Sequence, residues 1–294
     1  MYDITEYYNA KTIDEAIGFL CAHPEATIIC GGSDVLIRIR EGKMAGASLV
    51  SIRDIQELYG VSLRENGDIC IGAATPFSHI TADPIISERI PVLGEAVDQV
   101  GGPQIRNIGT IGGNICNGAV SADSAPTVFS LEAELEIANK DGGRRVPVSE
   151  FYLGPGRVDL HPGDLLTHIV IHREKYEGYR GHYIKYAMRR AMDIATLSCS
   201  AVCKVENGIL TDIRITFGVA APTPLRCHAT EDSVRGMKVG DELYEAVSAG
   251  VRSEINPRDS WRASKAFRLQ IGGEIAKRAV RTAIEGGHDG KENG

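Results

Sequence analysis

Ile13, Ala16, Ile17 and Leu20 recur at the spacing of one helix face. Thr12 stands just before this run and Glu15 follows three residues later, the pattern of a capping box, so the first element is expected to start at Thr12. ATIIC at 26–30 is an unbroken apolar run and predicts a short buried strand. It leads through Gly31-Gly32 into SDVLIRIREG, where Ser33 is placed to cap a helix carrying Leu36 and Ile39. ASLVSI is the next strand. Strand, helix and strand in so short a span predict a small parallel β-α-β unit.

The spacing then changes. YGVSLRENGDICIGAAT alternates on both sides of Asn66-Gly67, a strong hairpin signal. Pro91 opens a helix through Val92, Leu93, Ala96, Val97 and Val100 that ends at Gly101-Gly102-Pro103. AELEIANKDGGRRVPVSEF reads as another hairpin and DLLTHIVIH as a strand. From about residue 176 a second unit begins. It has one long hairpin turning at Asn207-Gly208, then helices at 241–255 and roughly 260–285, with a tail at 286–294 expected to be disordered. The class is α+β with two domains.

A chain of 294 residues suffices for two cores, and 43% hydrophobic with 24% charged residues is ordinary for a soluble globular protein. No apolar run is long enough to cross a bilayer, and MYDITEYYNAKTIDEA lacks the order of a secretion signal, so a cytoplasmic location is expected. A net charge of -7 argues against nucleic acid. The seven cysteines contain no C-x-x-C and read as buried reduced thiols. His168 and His172 share a strand face but would lie roughly 13 Å apart, too far for one zinc. No metal site is expected on this chain.

Two glycine segments carry the candidate chemistry. Gly31-Gly32 joins a strand to a helix start, where amides and the helix dipole suit a phosphate. Gly109, Gly112, Gly113 and Gly118 lie in what reads as another loop, where missing Cβ atoms admit a ligand close to the backbone. Neither matches a nucleotide fingerprint: GGSDVL lacks a third glycine, and GTIGGN lacks the Lys of a P-loop. Spacing alone leaves tight turns and a phosphate-bearing ligand both open. Gly272-Gly273, within the last helix, implies a break or close packing.

IICGGSDVLI, PQIRNIGTIGGNICNGAVSADSAP, KYAMRRAMDIAT, FGVAAPTPLRC and WRASKAFR together resemble the FAD-binding middle subunit of molybdenum hydroxylases, most of all the bacterial xanthine dehydrogenase branch. The resemblance covers nearly the whole chain. It implies a two-lobed FAD domain of the vanillyl-alcohol-oxidase (PCMH) type at 1–175, with lobes at about 1–56 and 57–175. A smaller α+β domain of the CO dehydrogenase flavoprotein type would follow at 176–285, an antiparallel sheet with helices. Carried over residue by residue, Thr27, Ile28, Ile29, Cys30, Gly31, Gly32, Ser33 and Asp34 would wrap the FAD pyrophosphate, and Thr110, Ile111, Gly112, Gly113 and Asn114 would meet it from the other lobe. Gly101, Asp123, Leu166 and Lys185 match further cofactor positions, Asp123 near the adenine half and Lys185 by the flavin ring. Arg190 and Asp193 are candidates for tuning access to the ring. Animal relatives place an aromatic where this chain has Val100, so Tyr186 becomes the candidate for ring stacking.

The resemblance further implies a division of labour. A molybdopterin subunit hydroxylates a purine, and an iron–sulfur subunit conducts electrons through its 2Fe–2S clusters. This chain collects them on FAD and reduces NAD⁺, with Lys185 as a cation near the anionic reduced ring. Relatives pair as dimers of heterotrimers. The alternatives are a stand-alone FAD oxidoreductase acting on a small molecule, the FAD subunit of a hydroxylase for another N-heterocycle, or a scaffold with an empty or nucleotide-only site. Trp261, with Arg262, Lys265 and Arg268, starts a helix that is either a partner contact or an ordinary amphipathic helix.

Overall fold

In the computed structural model, which describes residues 2–286, the chain begins one element earlier than its apolar spacing indicates. Strand β1 (Ile4–Asn9) precedes α1 (Ile13–Ala22), and β2 (Thr27–Ile29), α2 (Val35–Arg40) and β3 (Ala47–Ser51) follow. All three strands are parallel in the order β1-β3-β2. Strand β1 gave no apolar signal because it is an edge strand that is exposed or half-buried along its length. The other edge, β2, is half-buried instead of buried as expected, and the central β3 is buried at every position. Thr12 Oγ1 accepts from the Glu15 amide at 3.1 Å, while the Glu15 carboxylate returns to the amide of Lys11, one residue before the capping position. Ser33 does not cap α2: Asp34 takes that position, and its side chain makes no capping bond.

Strands β4 (Val61–Leu63) and β5 (Ile69–Gly72) form the hairpin around Asn66-Gly67, with Gly67 at φ 89°. Six short helices follow: α3 (Phe77–Ala82), α4 (Pro84–Arg89), α5 (Pro91–Asp98), α6 (Pro103–Arg106), α7 (Ile111–Cys116) and α8 (Ser124–Ser130). The hairpin β6 (Glu134–Ala138) and β7 (Arg144–Pro147) comes next. The one-turn α9 (Val148–Phe151) leads to a small ribbon, β8 (Tyr152–Gly154) and β9 (Arg157–Val158), and then to β10 (Leu165–Ile171). A five-stranded antiparallel sheet results, in the order β4-β5-β10-β6-β7. Its apolar face, with Ile71, Leu135 and Ile169, shares a core with Phe77, Leu93, Val97 and Val128 from the helices.

The sheet changes between β10 and β11 (Arg180–Tyr186), across the one-turn α10 (Arg173–Tyr176). Strands β11, β12 (Leu197–Glu206), β13 (Ile209–Gly218) and β14 (Leu225–Arg226) form a four-stranded antiparallel sheet in chain order. Asn207 and Gly208, at φ 53° and 76°, make its hairpin turn. Helices α12 (Asp241–Glu254) and α13 (Lys265–Glu285) cover one face, and α11 (His228–Val234), absent from the sequence reading, packs beside α12. Gly272 and Gly273 do not break α13. A Cβ on Gly272 would meet Ile255, and one on Gly273 would lie 2.8 Å from the Ser248 carbonyl oxygen, so the pair serves close helix packing. Gly286, at φ 72°, closes α13, and the remainder of the expected tail lies outside the described residues.

The other face of this sheet rests on α5 and α8, so the sheet is shared between the two cores. Tyr183 and Val202 belong to the first core, whereas Cys199 and Ala201 belong to the second. Polar ties reinforce the junction: buried Arg214 donates to the Ser130 carbonyl oxygen at 2.9 Å, and Arg226 pairs with Glu132 at 3.0 Å. Burial pushes the Glu132 carboxyl up, but hydrogen bonds from Lys175 and Arg226 outweigh it and hold the group at about 2.

Candidate cofactor site at the junction of two glycine segments

The two glycine segments touch. A Cβ on Gly31 would fall on the carbonyl oxygen of Ile108, so only glycine lets the first segment lie against the second. Gly32 sits at φ 71°, where other residues are strained. This geometry turns the backbone out of β2 without starting the helix. Among the described residues, the N–H groups of Gly31, Gly32, Ser33 and Asp34 donate to no protein acceptor. Four successive unpaired donors before a helix start form an anion-binding concavity. Thr27, Ile28 and Ile29 form β2 directly upstream. Cys30 lies 3.7 Å from the Tyr59 hydroxyl, and burial pushes its thiol up.

The second segment is built differently. The expected loop is helix α7, with Thr110 as its cap: Thr110 Oγ1 accepts from the Gly113 amide at 3.1 Å. The amides of Ile111, Gly112 and Asn114 are paired with the carbonyls of Thr75, Ala73 and Thr110. Gly112 is a packing glycine, since a Cβ there would lie 2.6 Å from that of Ala73. The amides of residues 111–114 are therefore engaged within the protein. What this segment offers a ligand is the side-chain amide of Asn114, whose Oδ1 accepts from Ser124 Oγ at 2.7 Å.

Asp123, next to Ser124, is buried at the foot of β11. Tyr183 donates to one of its oxygens at 2.9 Å and Lys185 Nζ to the other at 2.7 Å. Lys185 also donates to the Gln99 carbonyl oxygen at 2.9 Å, just before Gly101. Burial pushes the Asp123 carboxyl up, and Lys185 and Tyr183 hold it back only in part. One expectation changes here. Lys185 is a paired cation, not a lone one. The pair sets Asp123 and Lys185 side by side in the fold.

Gly101, at φ 52°, accepts through its carbonyl oxygen from the Met192 amide at 3.3 Å, which brings the segment after β11 over Gly101-Gly102. Within that segment Asp193 is an internal brace. Its carboxylate accepts from the amides of Arg189 and Ile194, both at 2.9 Å, and these bonds outweigh desolvation and hold its carboxyl low. Arg190 is exposed. Leu166 is buried in β10, opposite Ile137. Tyr186 packs edge-on against Phe267, with ring centroids 5.9 Å apart. Sequence reasoning missed Tyr183, Gln99 and Ser124; no local pattern marks them, because their partners are distant in the chain or are main-chain groups.

His168 and His172 face different acids, Glu136 and Asp68. Cys70, Glu136 and His168 converge as a metal-binding triad would, but Arg64 occupies the cluster, donating to Glu136 at 2.8 and 3.0 Å and to Cys70 Sγ at 3.3 Å. The cation there is a guanidinium. A cleft of about 650 Å³ opens beside the Asp123–Lys185 pair, between α5 and β11, lined by Glu95, Gln99, Tyr176, Tyr179, His182 and Tyr183 among others and by no residue of either glycine segment. No helix among the described residues is long and apolar enough to cross a membrane.

Two family models match the chain. Residues 3–173 match the FAD binding domain in molybdopterin dehydrogenase, and residues 182–283 match the CO dehydrogenase flavoprotein C-terminal domain. The chain is 40% identical to the putative xanthine dehydrogenase FAD-binding subunit of Escherichia coli (strain K12) over 97% of both chains. It is 29% identical to the glyceraldehyde dehydrogenase medium chain of Sulfolobus acidocaldarius, over 90% of this chain and 93% of that one. Its fold superposes on a chain of the carbon monoxide dehydrogenase of Hydrogenophaga pseudoflava with a TM-score of 0.92 at 27% identity, covering 97% and 99% of the two chains. The α+β fold is thus a PCMH-type FAD domain followed by a CO dehydrogenase flavoprotein C-terminal domain, and the chain belongs to the molybdenum hydroxylase family as an FAD-binding oxidoreductase subunit.

Proposed function

We propose that this chain is the FAD subunit of a cytoplasmic xanthine dehydrogenase-type enzyme. It takes electrons from an iron–sulfur subunit and passes hydride to NAD⁺. A molybdopterin subunit hydroxylates the purine, and the whole assembles as a dimer of heterotrimers. We further propose domain limits of 1–175 and 176–285, with lobes meeting near residue 56. The purine branch is supported by the identity to the Escherichia coli subunit.

The observation that carries the cofactor reading is the run of unpaired amides at Gly31–Asp34, pressed against Ile108 by a glycine that admits no side chain. These donors fit a diphosphate without any lysine. When bound, FAD supplies the exchange between single-electron and hydride chemistry. The chain's own residues supply position and field. The amides of residues 31–34 neutralise the diphosphate, and Thr110 with Asn114 shapes the opposing wall. Lys185, tied to Gln99 and Asp123, fixes the backbone before Gly101. Because Asp123 offsets its charge, Lys185 acts mainly by position. Arg190 and the Asp193-braced segment border the approach to Gly101.

The visible spectrum of the purified chain, with the released cofactor identified by chromatography, tests this reading. FAD without iron in the isolated chain, together with NADH-driven reduction of an artificial acceptor, is expected. A colourless chain that takes up no added FAD contradicts it. Oxidation of a small alcohol by the chain alone would favour the stand-alone flavoenzyme.

A further inference from the structure

Lys185 is a cation that the protein satisfies only in part. An ammonium has three hydrogens to donate. Nζ gives one to Asp123 Oδ2 at 2.7 Å and one to the Gln99 carbonyl oxygen at 2.9 Å, and among the described residues the third meets no acceptor. The Lys185 and Asp123 side chains are only 7% and 8% exposed, so bulk water does little to replace that partner. A tetrahedral nitrogen with two hydrogens fixed has the direction of its third fixed as well. That direction is therefore set by whatever holds the two acceptors.

The Gln99 carbonyl belongs to the main chain, at the C-terminal end of α5, where helix carbonyls lack intrahelical partners and a cation is favoured. Asp123 is different. It stands directly before α8, yet its side chain makes no capping bond there. A carboxylate held by Lys185 alone can turn about its own axis and present either oxygen. The Tyr183 hydroxyl removes that freedom by donating to Oδ1 at 2.9 Å. Tyr183 and Lys185 lie two apart on β11 and so share a face. Tyr183 is itself held at both ends. Its side chain is buried in the first core, and its amide, on the edge strand of the sheet, donates to Glu95 Oε2 of α5 at 3.2 Å. His182 Nδ1 lies 2.9 Å from the same oxygen. Burial pushes the Tyr183 phenol well above its ordinary value, so it stays a protonated donor. The network lies where the candidate cofactor elements meet: Gln99 is two residues before Gly101, and Ser124, next to Asp123, bonds to Asn114.

We propose that Tyr183 is a positioning residue for the cofactor: by locking the Asp123 carboxylate it aims the third Lys185 hydrogen at an acceptor atom of the bound flavin ring. The proposal rests on the FAD-subunit reading above. A hydrogen bond from an ammonium strengthens as its acceptor gains negative charge, so the aimed hydrogen favours the reduced ring over the oxidised one. The Tyr183 hydroxyl acts only through Asp123 and Lys185, and its removal matters only while both are present.

The test is Tyr183→Phe in the full chain, which keeps the buried ring and removes the hydroxyl. The FAD affinity of the cofactor-free chain and the midpoint potential of the bound flavin are measured, both in the wild-type background and in Asp123→Asn/Lys185→Met. In the wild-type background Tyr183→Phe is expected to bind FAD about fivefold more weakly, the scale of one hydrogen bond, and to lower the midpoint. In the doubly substituted background the same change is expected to alter neither, the non-additivity of residues that act as one unit. A loss of equal size in both backgrounds would make Tyr183 a packing residue and overturn the proposal. So would wild-type affinity and midpoint in Tyr183→Phe. If the doubly substituted chain does not fold, the midpoint decides: lost packing weakens oxidised and reduced FAD alike and leaves it unchanged, whereas a misaimed hydrogen lowers it. A wild-type chain that binds FAD, with Tyr183→Phe unaffected, overturns this proposal alone. A wild-type chain that binds no FAD overturns the underlying reading and this proposal with it.

Discussion

The two glycine segments look alike in sequence and are built in opposite ways. At 31–34 a glycine with positive φ turns the backbone, and four successive amides donate to no protein acceptor among the described residues. At 110–114 three amides are paired with main-chain carbonyls and that of Gly113 with the Thr110 hydroxyl, while Gly112 lets α7 press on Ala73. The first segment is a set of donors waiting for an anion, and the second is a wall held from behind. Glycine richness alone does not say which of the two a chain has built; the destination of the amides does. The second segment should therefore answer to packing and to its buried ion pair, and the first to the ligand.

The largest effect is expected where the wall is anchored. Lys185→Met leaves the Asp123 carboxylate buried and unpaired, which should cost about 3–5 kcal/mol of unfolding free energy in urea titrations. Asp123→Asn/Lys185→Met should recover much of that loss. A single variant within about 1 kcal/mol of wild type would mean that the pair carries little of the junction's stability.

Next in size are the glycines themselves. Gly112→Ala overpacks α7 against Ala73 and should lower the stability of the cofactor-free chain by about 1–3 kcal/mol. Gly31→Ala pushes one surface segment off another. It should change that stability less, yet weaken FAD binding at least about tenfold through loss of one charge-assisted hydrogen bond. If both variants lost stability and affinity in the same proportion, the contrast between donor loop and packed wall would fail. Thr110→Ala removes a helix cap and should cost about 1 kcal/mol, with Thr110→Ser close to wild type.

The smallest effect is a pH dependence. Burial raises the Asp123 carboxyl above its unfolded value, so the native chain holds that proton more tightly than the unfolded chain. Its contribution to stability is complete below the ordinary aspartate range and is lost as pH rises through the raised native value. Melting temperatures of wild type and Asp123→Asn/Lys185→Met, compared from mildly acidic to neutral pH, should show this falling slope in wild type only. A parallel pair of profiles would assign the acid response to other groups.

Much of the fold was legible because its punctuation is local. Asn66-Gly67 and Asn207-Gly208 name their turns, and Thr12 with Glu15 marks a helix start. Strand β1 was not legible, since an exposed edge strand shows no apolar periodicity. Helix α7 was hidden by its own glycines, which lower helix propensity but here serve packing. At the site, the Gly31–Asp34 turn could be read because strand, glycines and helix are contiguous. The pairing of Asp123 with Lys185, 62 positions away, could not, because it depends on how β11 packs against α5.

The most direct test of the central claim is the affinity of the cofactor-free chain for FAD against riboflavin, which lacks the diphosphate. Two charge-assisted hydrogen bonds from the 31–34 amides, at about 1.5–3 kcal/mol each, predict that FAD binds at least about a hundredfold more tightly. Equal affinities, or tighter binding of riboflavin, would contradict the assignment of those amides to the diphosphate.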